Sequence, residues 1–416
     1  MVSGIREKMR LCYIADAQSI HTQRLVRHFA SEGHQVFLLS CTPIPDGLNE
    51  LNLTTFSLKG LTLDNDRKTA SFPWIEHQFD RAAYLWGLIY GLRLGYGFPA
   101  PVGYRPPLLP KRENQYILNL ELCAQETRNI LRKIQPNIVH GHFLTNHGFV
   151  AARTGFRPLV VSAWGSDVLL RPQSWFMMKT ILRYVLRTAD FITSDAESMT
   201  KVMLRYGANP CKVVTFPWGV DTDIFHSDED SDKTNNRRIV FSSRMLEPVY
   251  NVELLLRAIP LVREKIPGLT VLIAGNGSLK DQLEGFARQL KLDNNVAFIG
   301  LLPIEELARH YREADVYVSV PFSDSTSVSL LEAMASGAFP IGSDLPANRE
   351  WIEDGINGFL VPTDSPRLLA DRMVQAFEHR ELRTEAARRN IEIVRTRALW
   401  QESVRRLEQY YYQLLA

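Results

Sequence analysis

Cysteine is scarce in this chain, which has 416 residues and four cysteines. The four are far apart in the sequence and include no CxxC pair, which argues against a zinc ribbon or a disulfide framework. They are Cys12, Cys41, Cys123 and Cys211. A reduced, cytosolic location is therefore expected. The first residues pass from charged side chains directly into a strand-like run, without the apolar segment of a signal peptide.

A long, uninterrupted apolar run is also missing. The segment 82–104 has one charged residue, Arg93, and six aromatic residues. Eleven residues separate Arg81 from Arg93, against about 20 apolar residues needed to span a bilayer, so the segment is not predicted to span one. Its aromatic residues and flanking arginines are typical of a segment that lies in the headgroup region of an anionic membrane. A helix and loop packed against the N-terminal core is the alternative interpretation.

Two functional signatures are absent as well. No GxGxxG fingerprint follows the first predicted strand, which argues against a hydride-transfer enzyme. No dense run of Lys and Arg occurs, and nucleic acid is not an expected partner. The charge is nevertheless uneven, because residues 1–218 contain 25 Lys and Arg against 16 Asp and Glu (+9) and the remainder contains 23 against 30 (−7). The basic half suits an anionic membrane surface or an anionic acceptor.

The length and the pattern of the chain favour two α/β domains. A chain of 416 residues is too long for one compact core. Short β-branched runs alternate with helical periodicities, which predicts parallel sheets with functional loops at the carboxyl ends of the strands. A polar stretch, 226–238, has the composition of an exposed linker. The predicted strands include 10–15, 35–40, 137–140, 159–163, 239–243, 271–274, 296–299 and 316–320.

The stretch 320–362 carries the densest set of chemical groups. A predicted strand is followed by a polar Ser-Asp-Ser-Thr-Ser loop, and apolar helical periodicity begins near Leu330. The unpaired amides at the start of such a helix suit a phosphate group. Asp324 in the loop and Glu332 in the helix suit the hydroxyl groups of a sugar nucleotide. Alternatively, Ser329 and Glu332 form a capping box, in which Glu332 accepts only a backbone N–H.

With its Glu-Ala-Met-Ala helix and a later Asn-Gly turn, this stretch resembles the signature of family-4 retaining glycosyltransferases of the GT-B fold, also called glycosyl transferases group 1. The resemblance continues through most of 239–380 and more weakly through the first half. It implies two Rossmann-like, doubly wound parallel-sheet domains that face each other across a cleft. The expected domains are an acceptor-binding domain at 1–218 and a nucleotide-sugar-binding domain at 219–397. A final helix at 398–416 is expected to pack back on the first domain.

The resemblance also implies a donor site. Glu332 is expected to bind the ribose hydroxyls and Asp324 those of the transferred sugar, although the family more often has Glu at the first position. Arg244, at the end of a predicted strand, is expected to bind the diphosphate through its planar fork. The segment ending at Tyr250 lacks the family's usual lysine, and Tyr250 offers one neutral hydrogen bond instead. The other expected donor contacts are Gly275, Asn276, Gly277, Leu302, Ser325, Thr326, Ser327 and Val328.

Three histidines cluster at one predicted strand end in the first half. His140, His142 and His147 raise the question of a zinc site, but no acid or cysteine at ligand spacing joins them, so no metal is expected. By the resemblance, the second histidine of the HxH pair, His142, lies beside the transferred sugar.

Two further strand-end loops are expected near the acceptor. Ser19 and His21 lie in the loop after the first strand, where GT-B enzymes often carry glycines. Asp167 follows a Trp-Gly-Ser turn and is placed near the acceptor by the resemblance. The alternative for Asp167 is a structural cap on the helix that begins after Pro172.

The expected reaction is retaining, metal-independent transfer of a sugar from a nucleotide diphosphate sugar to a hydroxyl acceptor, without a cofactor, in polysaccharide or glycolipid assembly. The expected catalytic residues are His142, Arg244 and Asp324, with Arg244 and helix amides stabilising the leaving diphosphate. A lipid-linked acceptor would place the cytoplasmic enzyme on the inner face of the membrane. Three alternatives stay open: a non-catalytic relative acting as a scaffold or regulatory partner, a glycoside hydrolase using Asp324 and Glu332, and a sugar-nucleotide epimerase of similar architecture.

Overall fold

A computed structural model describes residues 7–48, 52–58, 111–174, 176–227 and 238–416. The membrane-contact segment 82–104 and most of the predicted linker lie outside the described residues. Among the residues that are described, no helix combines the length and the apolar character needed to cross a bilayer.

The first parallel sheet has seven strands in the order β3-β2-β1-β4-β5-β6-β7. These strands are β1 Arg10–Ile14, β2 Gln35–Ser40, β3 Leu53–Ser57, β4 Ile138–His142, β5 Leu159–Ser162, β6 Phe191–Ser194 and β7 Val213–Thr215. The helices in the same part of the chain are α1 Ile20–Ser31, α2 Lys111–Ile134, α3 His147–Thr154, α4 Ser166–Leu169, α5 Arg171–Ser174, α6 Phe176–Thr188 and α7 Glu197–Arg205. Parallel pairing puts the carboxyl ends of neighbouring strands at one edge, where loops carry function.

The second parallel sheet has six strands in the order β10-β9-β8-β11-β12-β13. These are β8 Ile239–Ser243, β9 Thr270–Ala274, β10 Val296–Gly300, β11 Val316–Ser319, β12 Phe339–Ser343 and β13 Phe359–Val361. The helices of this part are α8 Val252–Lys265, α9 Lys280–Gln289, α10 Ile304–Glu313, α11 Val328–Ala335, α12 Pro366–Glu378, α13 Arg380–Arg397 and α14 Trp400–Leu415. The order reverses between β8 and β11, and loops at such a switch point commonly bind ligands.

Apolar packing covers both faces of the second sheet. Val240 of β8 belongs to one buried cluster, whereas its neighbour Phe241 belongs to another. Val316 and Tyr317 of β11 divide between the same two clusters. Successive side chains of a strand point to opposite faces, so both faces of this sheet are buried under helices. That arrangement explains why the strands appear in the sequence as continuous apolar runs.

The described chain forms two compact units. One contains the described residues up to Gly141 together with Phe149–Phe156, and the other contains His142–Gly148 and Arg157–Ala416. Ser19 and His21 lie in the first unit, and the other predicted site residues lie in the second. The predicted domain boundaries at 218 and 397 stay a prediction.

The predicted α/β organisation is confirmed, with two parallel sheets. The strands predicted at 35–40 and 239–243 have the observed bounds of β2 and β8. The other predicted strands differ from the observed bounds by one or two residues, at one end or, for β4, at both ends. The final helix predicted at 398–416 is observed as α14, and its residues Trp400, Val404, Leu407 and Tyr411 are buried. This last helix contacts residues near β6 and β7: Ser403 Oγ donates to the Pro217 carbonyl at 2.7 Å, and the Tyr410 and Phe191 ring centroids are 4.5 Å apart.

Candidate functional site

Arg244 joins the end of β8 to the start of α11. Its Nη1 donates to Ser327 Oγ at 2.5 Å and to Ser329 Oγ at 2.9 Å. Its Nη2 donates to Asp324 Oδ2 at 2.7 Å. A guanidinium has five N–H groups, so the Nε–H and one Nη2–H have no hydrogen-bond partner among the residues that the structure describes. Arg244 therefore keeps donor capacity for a further anion.

The Arg244–Asp324 ion pair is largely shielded from solvent, with side-chain exposures of 11% and 19%. Burial by itself disfavours the charged guanidinium and lowers its pKa, but the Asp324 carboxylate and the nearby Tyr317, Tyr250 and Tyr311 together raise the pKa of Arg244 above its ordinary value. Burial also raises the pKa of Asp324, and Arg244 opposes that rise. The second Asp324 oxygen accepts the Ser325 amide at 3.0 Å. Both carboxylate oxygens are thus held by the protein.

The Tyr250 ring lies against the Arg244 guanidinium. It ends a short 3-10 helix, Pro248–Tyr250, and the Arg244 Cζ lies 4.3 Å from the centroid of its ring. An arginine over an aromatic face is attracted by the ring quadrupole. The phenol was predicted to donate a hydrogen bond in place of the family's lysine. In the structure the ring makes a cation–π contact with the guanidinium, and the hydrogen bond from the phenol to a diphosphate stays a prediction.

The start of α11 has the free amides that a phosphate requires. Ser327 caps the helix, since its Oγ accepts the Leu330 amide at 3.3 Å. The amides of Val328 and Ser329 have no hydrogen-bond partner in the described part of the chain. Strand, loop and helix follow each other here as the sequence predicted. Aligned peptide dipoles add partial positive charge at this helix start.

Glu332 does not form the capping box that the sequence left open. Ser329 lies inside α11, because the cap is Ser327, so that alternative is wrong. The Glu332 carboxylate instead accepts the Tyr311 hydroxyl at 3.1 Å. Burial raises the pKa of Tyr311 well above its ordinary value, and the negative charge of Glu332 adds to the rise. Tyr311 therefore stays protonated and orients Glu332.

The turn after β9 packs directly against the backbone of Arg244. Gly275 has φ +131°, and a Cβ at this position would lie 2.2 Å from the Arg244 carbonyl oxygen. Only glycine permits both the backbone conformation and this approach. The Gly275 amide donates to the Gly300 carbonyl at 2.7 Å. The carboxyl ends of β8, β9 and β10 are thereby joined at one edge.

The remaining predicted nucleotide contacts lie in the same group of loops. The Asn276 carbonyl accepts the Leu246 amide at 2.9 Å. A Cβ at Gly277 would lie 2.4 Å from the Leu246 carbonyl oxygen, so this turn also needs a glycine. Leu302, after β10, is half-buried against an apolar cluster of the second sheet. The structure thus brings the predicted donor residues of this edge together, and their contacts with a nucleotide stay a prediction.

His142 lies in a cluster of aromatic side chains. It is buried, with its ring centroid 5.2 Å from that of Trp164 and 6.5 Å from that of Trp218. The two indoles stack at 5.0 Å with an interplanar angle of 3°. This packing fixes the position of the imidazole at the end of β4. Its contact with a transferred sugar stays a prediction.

Asp167 ties two loops together. Its carboxylate accepts the Leu144 amide at 2.7 Å and the Trp164 amide at 3.0 Å, and the residue is fully buried. Burial raises the pKa of Asp167 to about 6, against the lowering effect of these amides. It lies in the first turn of α4, so the predicted cap on a helix after Pro172 is wrong. Its predicted contact with an acceptor is not tested by this geometry.

Asp195 is a residue that the sequence analysis missed. It follows β6 and is 7% exposed, and its carboxylate accepts the Ser325 hydroxyl. Its carbonyl accepts the Thr326 hydroxyl at 2.6 Å. Burial raises the pKa of Asp195 to about 7, and the nearby carboxylates of Asp324 and Asp167 add to the rise. A carboxylate at a strand end, the same signal that singled out Asp167, marks this residue in the sequence.

Two predicted acceptor residues belong to the other compact unit. Ser19 caps α1, with its hydroxyl accepting the Thr22 amide at 3.5 Å, and His21 is half-buried in the first turn. The loop is fixed at Asp16, whose carboxylate accepts the Thr42 hydroxyl at 2.6 Å. Ser19 therefore has a structural role, and its contact with an acceptor stays a prediction.

The first histidine of the HxH pair is a core residue. His140 is 1% exposed, and its ring centroid lies 5.4 Å from that of Tyr13. Burial lowers the pKa of His140 to about 3, so the ring stays neutral. In the part of the chain that the structure describes, no three His, Cys, Asp or Glu side chains are grouped so as to hold a metal ion.

Sequence comparison identifies the second half of the chain. Residues 223–392 match the family described as glycosyl transferases group 1. Residues 110–196 match the family described as glycosyl transferase 4-like. Residues 223–392 belong to the group 1 glycosyl transferases. The family resemblance drawn from the sequence is confirmed.

Curated relatives share part of this chain. The phosphatidyl-myo-inositol mannosyltransferase of Mycobacterium tuberculosis is 36% identical over 177 residues, which are 41% of this chain and 46% of the relative. The D-inositol 3-phosphate glycosyltransferase of Geodermatophilus obscurus is 29% identical over 226 residues, 50% of this chain and 49% of the relative. The matches thus span about half the length of these relatives.

Solved structures match this chain over nearly its whole length. Sucrose-phosphate synthase of Thermosynechococcus elongatus superposes with a TM-score of 0.73 at 16% identity, covering 98% of this chain and 99% of that one. Anabaena HepE in complex with UDP superposes with a TM-score of 0.69 at 14% identity, covering 97% and 100%. At these identities the likeness shows the fold alone, and the predicted GT-B fold with two Rossmann-like parallel sheets is confirmed.

Proposed function

We propose that this protein transfers a sugar from a nucleotide diphosphate sugar to a hydroxyl acceptor, with retention of configuration and without a metal ion. The observation that carries the proposal is the meeting of the Arg244 guanidinium with the start of α11. Two Arg244 N–H groups and two α11 amides have no partner among the described residues at this point. A delocalised cation beside a helix start is suited to a diphosphate.

The acids near this point supply the sugar-binding part of the proposal. Glu332, oriented by the Tyr311 hydroxyl at 3.1 Å, accepts the ribose hydroxyls. Asp324, in the loop before α11, accepts a hydroxyl of the transferred sugar, and His142 positions that sugar. The turn at Gly275, Asn276 and Gly277 flanks the nucleotide, together with Leu302.

The leaving group provides the main source of rate acceleration in this proposal. As the glycosidic C–O bond breaks, negative charge develops on the diphosphate. Arg244 and the amides of Val328 and Ser329 are held in place before the reaction, so they stabilise that charge without reorganisation. The acceptor hydroxyl attacks from the face that the diphosphate leaves, and a donor phosphate oxygen accepts its proton. Because the cation is supplied by Arg244, neither a metal ion nor a cofactor is required.

The acceptor class is proposed from the names of the relatives. The mannosyltransferase of Mycobacterium tuberculosis is named for phosphatidyl-myo-inositol and the Geodermatophilus relative for D-inositol 3-phosphate. An inositol-containing glycolipid or its soluble precursor is therefore the first acceptor to test, with polysaccharide assembly as the other class. A lipid acceptor requires contact with an anionic membrane surface, for which the segment 82–104 and the basic first half are the proposed contacts.

The direct test is transfer by the purified chain. The protein is incubated in EDTA with UDP-glucose, UDP-N-acetylglucosamine or GDP-mannose and with phosphatidylinositol in detergent or free inositol phosphate. We expect a glycosylated product by mass spectrometry, and proton NMR should show the anomeric configuration of the donor. An inverted product contradicts retention, and activity that returns only on addition of Mg²⁺ contradicts metal independence.

A second candidate function is a non-catalytic GT-B protein that acts as a scaffold or regulatory partner. Two observations favour it: the Arg244 charge is already paired with Asp324 at 2.7 Å, and the segment through Tyr250 has no lysine. This candidate predicts that the folded protein binds no nucleoside diphosphate at millimolar concentration. The glycosyltransferase proposal predicts the opposite.

A further inference from the structure

Asp195 contacts the loop that carries Asp324 at two points. Its carboxylate accepts the Ser325 hydroxyl, and its carbonyl accepts the Thr326 hydroxyl at 2.6 Å. Ser325 and Thr326 are 2% and 6% exposed, so water does not compete for these bonds. The loop is thereby attached to the carboxyl end of β6, 130 residues away in the chain.

Further contacts confine the same loop. A Cβ at Gly165 would lie 3.2 Å from the Ser325 Cβ, so the backbone of Gly165 leaves little space for Ser325 to move. The Thr326 hydroxyl also accepts the Trp351 indole N–H at 3.3 Å. The position of Ser325 is transmitted to Asp324, because the Ser325 amide donates to Asp324 Oδ1 at 3.0 Å.

Asp195 is a buried acid, and burial disfavours the charged form of its carboxylate. Burial raises the pKa of Asp195 to about 7, which means that ionising it costs folding free energy. Buried acids of this kind are concentrated at functional sites. Asp195 fits that pattern, because it binds Ser325, the residue that directly follows Asp324 of the Arg244–Asp324 pair.

We propose that Asp195 is a positioning residue for the donor site. It holds Ser325 and Thr326 so that Asp324 meets Arg244 and α11 starts in register with the diphosphate. This inference rests on the proposed function, since it assumes that a nucleoside diphosphate binds at Arg244. Asp195 itself does not touch the donor. Its effect passes through Ser325 to Asp324.

The test measures nucleoside diphosphate affinity in a set of matched variants of the full chain. The variants are Asp195→Ala, Asp195→Asn, Ser325→Ala and the double variant Asp195→Ala/Ser325→Ala. Glu197→Ala is the control, because it removes an exposed carboxylate two residues away on the same segment. Dissociation constants for UDP and GDP are measured by isothermal titration calorimetry, and the melting temperature of each variant is recorded without ligand.

The expected result is a loss of affinity that a merely structural role would not produce. Asp195→Ala should weaken binding about tenfold or more, because it leaves the buried Ser325 hydroxyl without its acceptor. Asp195→Asn should stay within about threefold of wild type, because its amide oxygen accepts the Ser325 hydroxyl. Ser325→Ala should match Asp195→Ala, and the double variant should lose no more than either single variant.

Several outcomes would overturn the inference. One is an Asp195→Ala protein that is folded at the assay temperature and binds as tightly as wild type, even if its melting temperature falls. Another is additive loss in the double variant, which would mean that Asp195 does not act through Ser325. If the wild-type chain binds neither UDP nor GDP, the proposed function fails together with this inference, whereas wild-type binding with unchanged variants refutes the inference alone.

Discussion

Arg244 and Asp324 are 80 residues apart in the chain, yet Nη2 of the first lies 2.7 Å from Oδ2 of the second. The pair lies where the end of β8 meets the loop before α11. In the proposed complex, a diphosphate would bind an Arg244 guanidinium that is already paired with Asp324. The two remaining N–H groups of Arg244 make that binding possible.

Arg244→Ala is expected to lower the rate of sugar transfer by more than about tenfold, because it removes a charge-assisted contact that strengthens as the glycosidic bond breaks. The measurement is kcat/KM with the donor identified in the transfer assay. Arg309→Ala is the matched control, since Arg309 is half-exposed and pairs with Glu313 within α10. An unchanged rate in folded Arg244→Ala protein would remove Arg244 from the mechanism.

Two substitutions at Tyr250 distinguish the contribution of its ring from that of its hydroxyl. Tyr250→Phe keeps the face that lies 4.3 Å from the Arg244 Cζ and should keep nucleotide affinity within about twofold. Tyr250→Ala removes the stacking and should weaken binding by about threefold to tenfold, as expected for a cation–π contact. Calorimetric titration with a nucleoside diphosphate measures both. If Phe and Ala variants lose affinity equally, the hydroxyl is the important group and the stacking interpretation fails.

The sequence predicted the strand ends but not the side-chain pairings at them. Arg244 and Gly275 were identified because each ends a predicted strand, and parallel sheets gather such ends at one edge. The stacking of Tyr250 on Arg244 was not predictable, since it depends on the path of a 3-10 helix. Ser327 and Ser329 are both residues of a type that caps helices, so the sequence alone did not show which of them is the cap. In the structure Ser327 is the cap of α11, and Arg244 donates a hydrogen bond to the hydroxyl of each serine.

The side-chain partner of Asp195 was likewise not predictable from the sequence. Its position after β6 was visible in the sequence, but a strand-end acid is often a simple structural residue. Its partner Ser325 comes from a loop 130 residues further on, and no local pattern connects them. Asp167, which carries the same signal, accepts the backbone amides of Leu144 and Trp164. The sequence therefore predicts that an acid lies at a strand end, whereas the tertiary structure determines which side chain that acid binds.

Glu332 should determine the preference for a ribose. The wild-type protein is expected to bind a ribonucleoside diphosphate about tenfold more tightly than its 2′,3′-dideoxy analogue, because the analogue leaves the Glu332 acceptor without its partners. Glu332→Gln should reduce that ratio by weakening the acceptor. Competition titration gives the ratio for both proteins. Glu305→Gln, an exposed acid in the first turn of α10, should leave it unchanged, and a full ratio in Glu332→Gln would contradict the assignment.

The buried Asp195 carboxyl predicts a pH-dependent stability difference. Its pKa is about 7 in the folded protein and ordinarily 3.8, so between those values the folded state binds a proton that the unfolded state has lost. The free energy of unfolding therefore falls as pH rises through this window, by at most about 1.4 kcal/mol per pH unit from this group. Asp195→Asn removes the effect, so its stability relative to wild type should increase from pH 5 to pH 7 and then level off.

Denaturant unfolding at pH 5, 6, 7 and 8 measures that difference. Asp344→Asn is the control, because hydrogen bonding to Arg349 lowers the pKa of Asp344 and its contribution is already constant over this range. A difference between Asp195→Asn and wild type that is equally flat would show that Asp195 ionises normally in the folded protein.

The central claim is that a nucleoside diphosphate binds at Arg244 without a metal ion. The most direct measurement is the melting temperature of the wild-type chain and of Arg244→Ala with UDP, GDP or ADP at millimolar concentration in EDTA. The account predicts that one of the nucleotides raises the melting temperature of the wild type, since a ligand at 100 times its Kd adds about 2.7 kcal/mol of stability, and that Arg244→Ala loses the increase. No increase with any nucleotide, or an equal increase in both proteins, would contradict it.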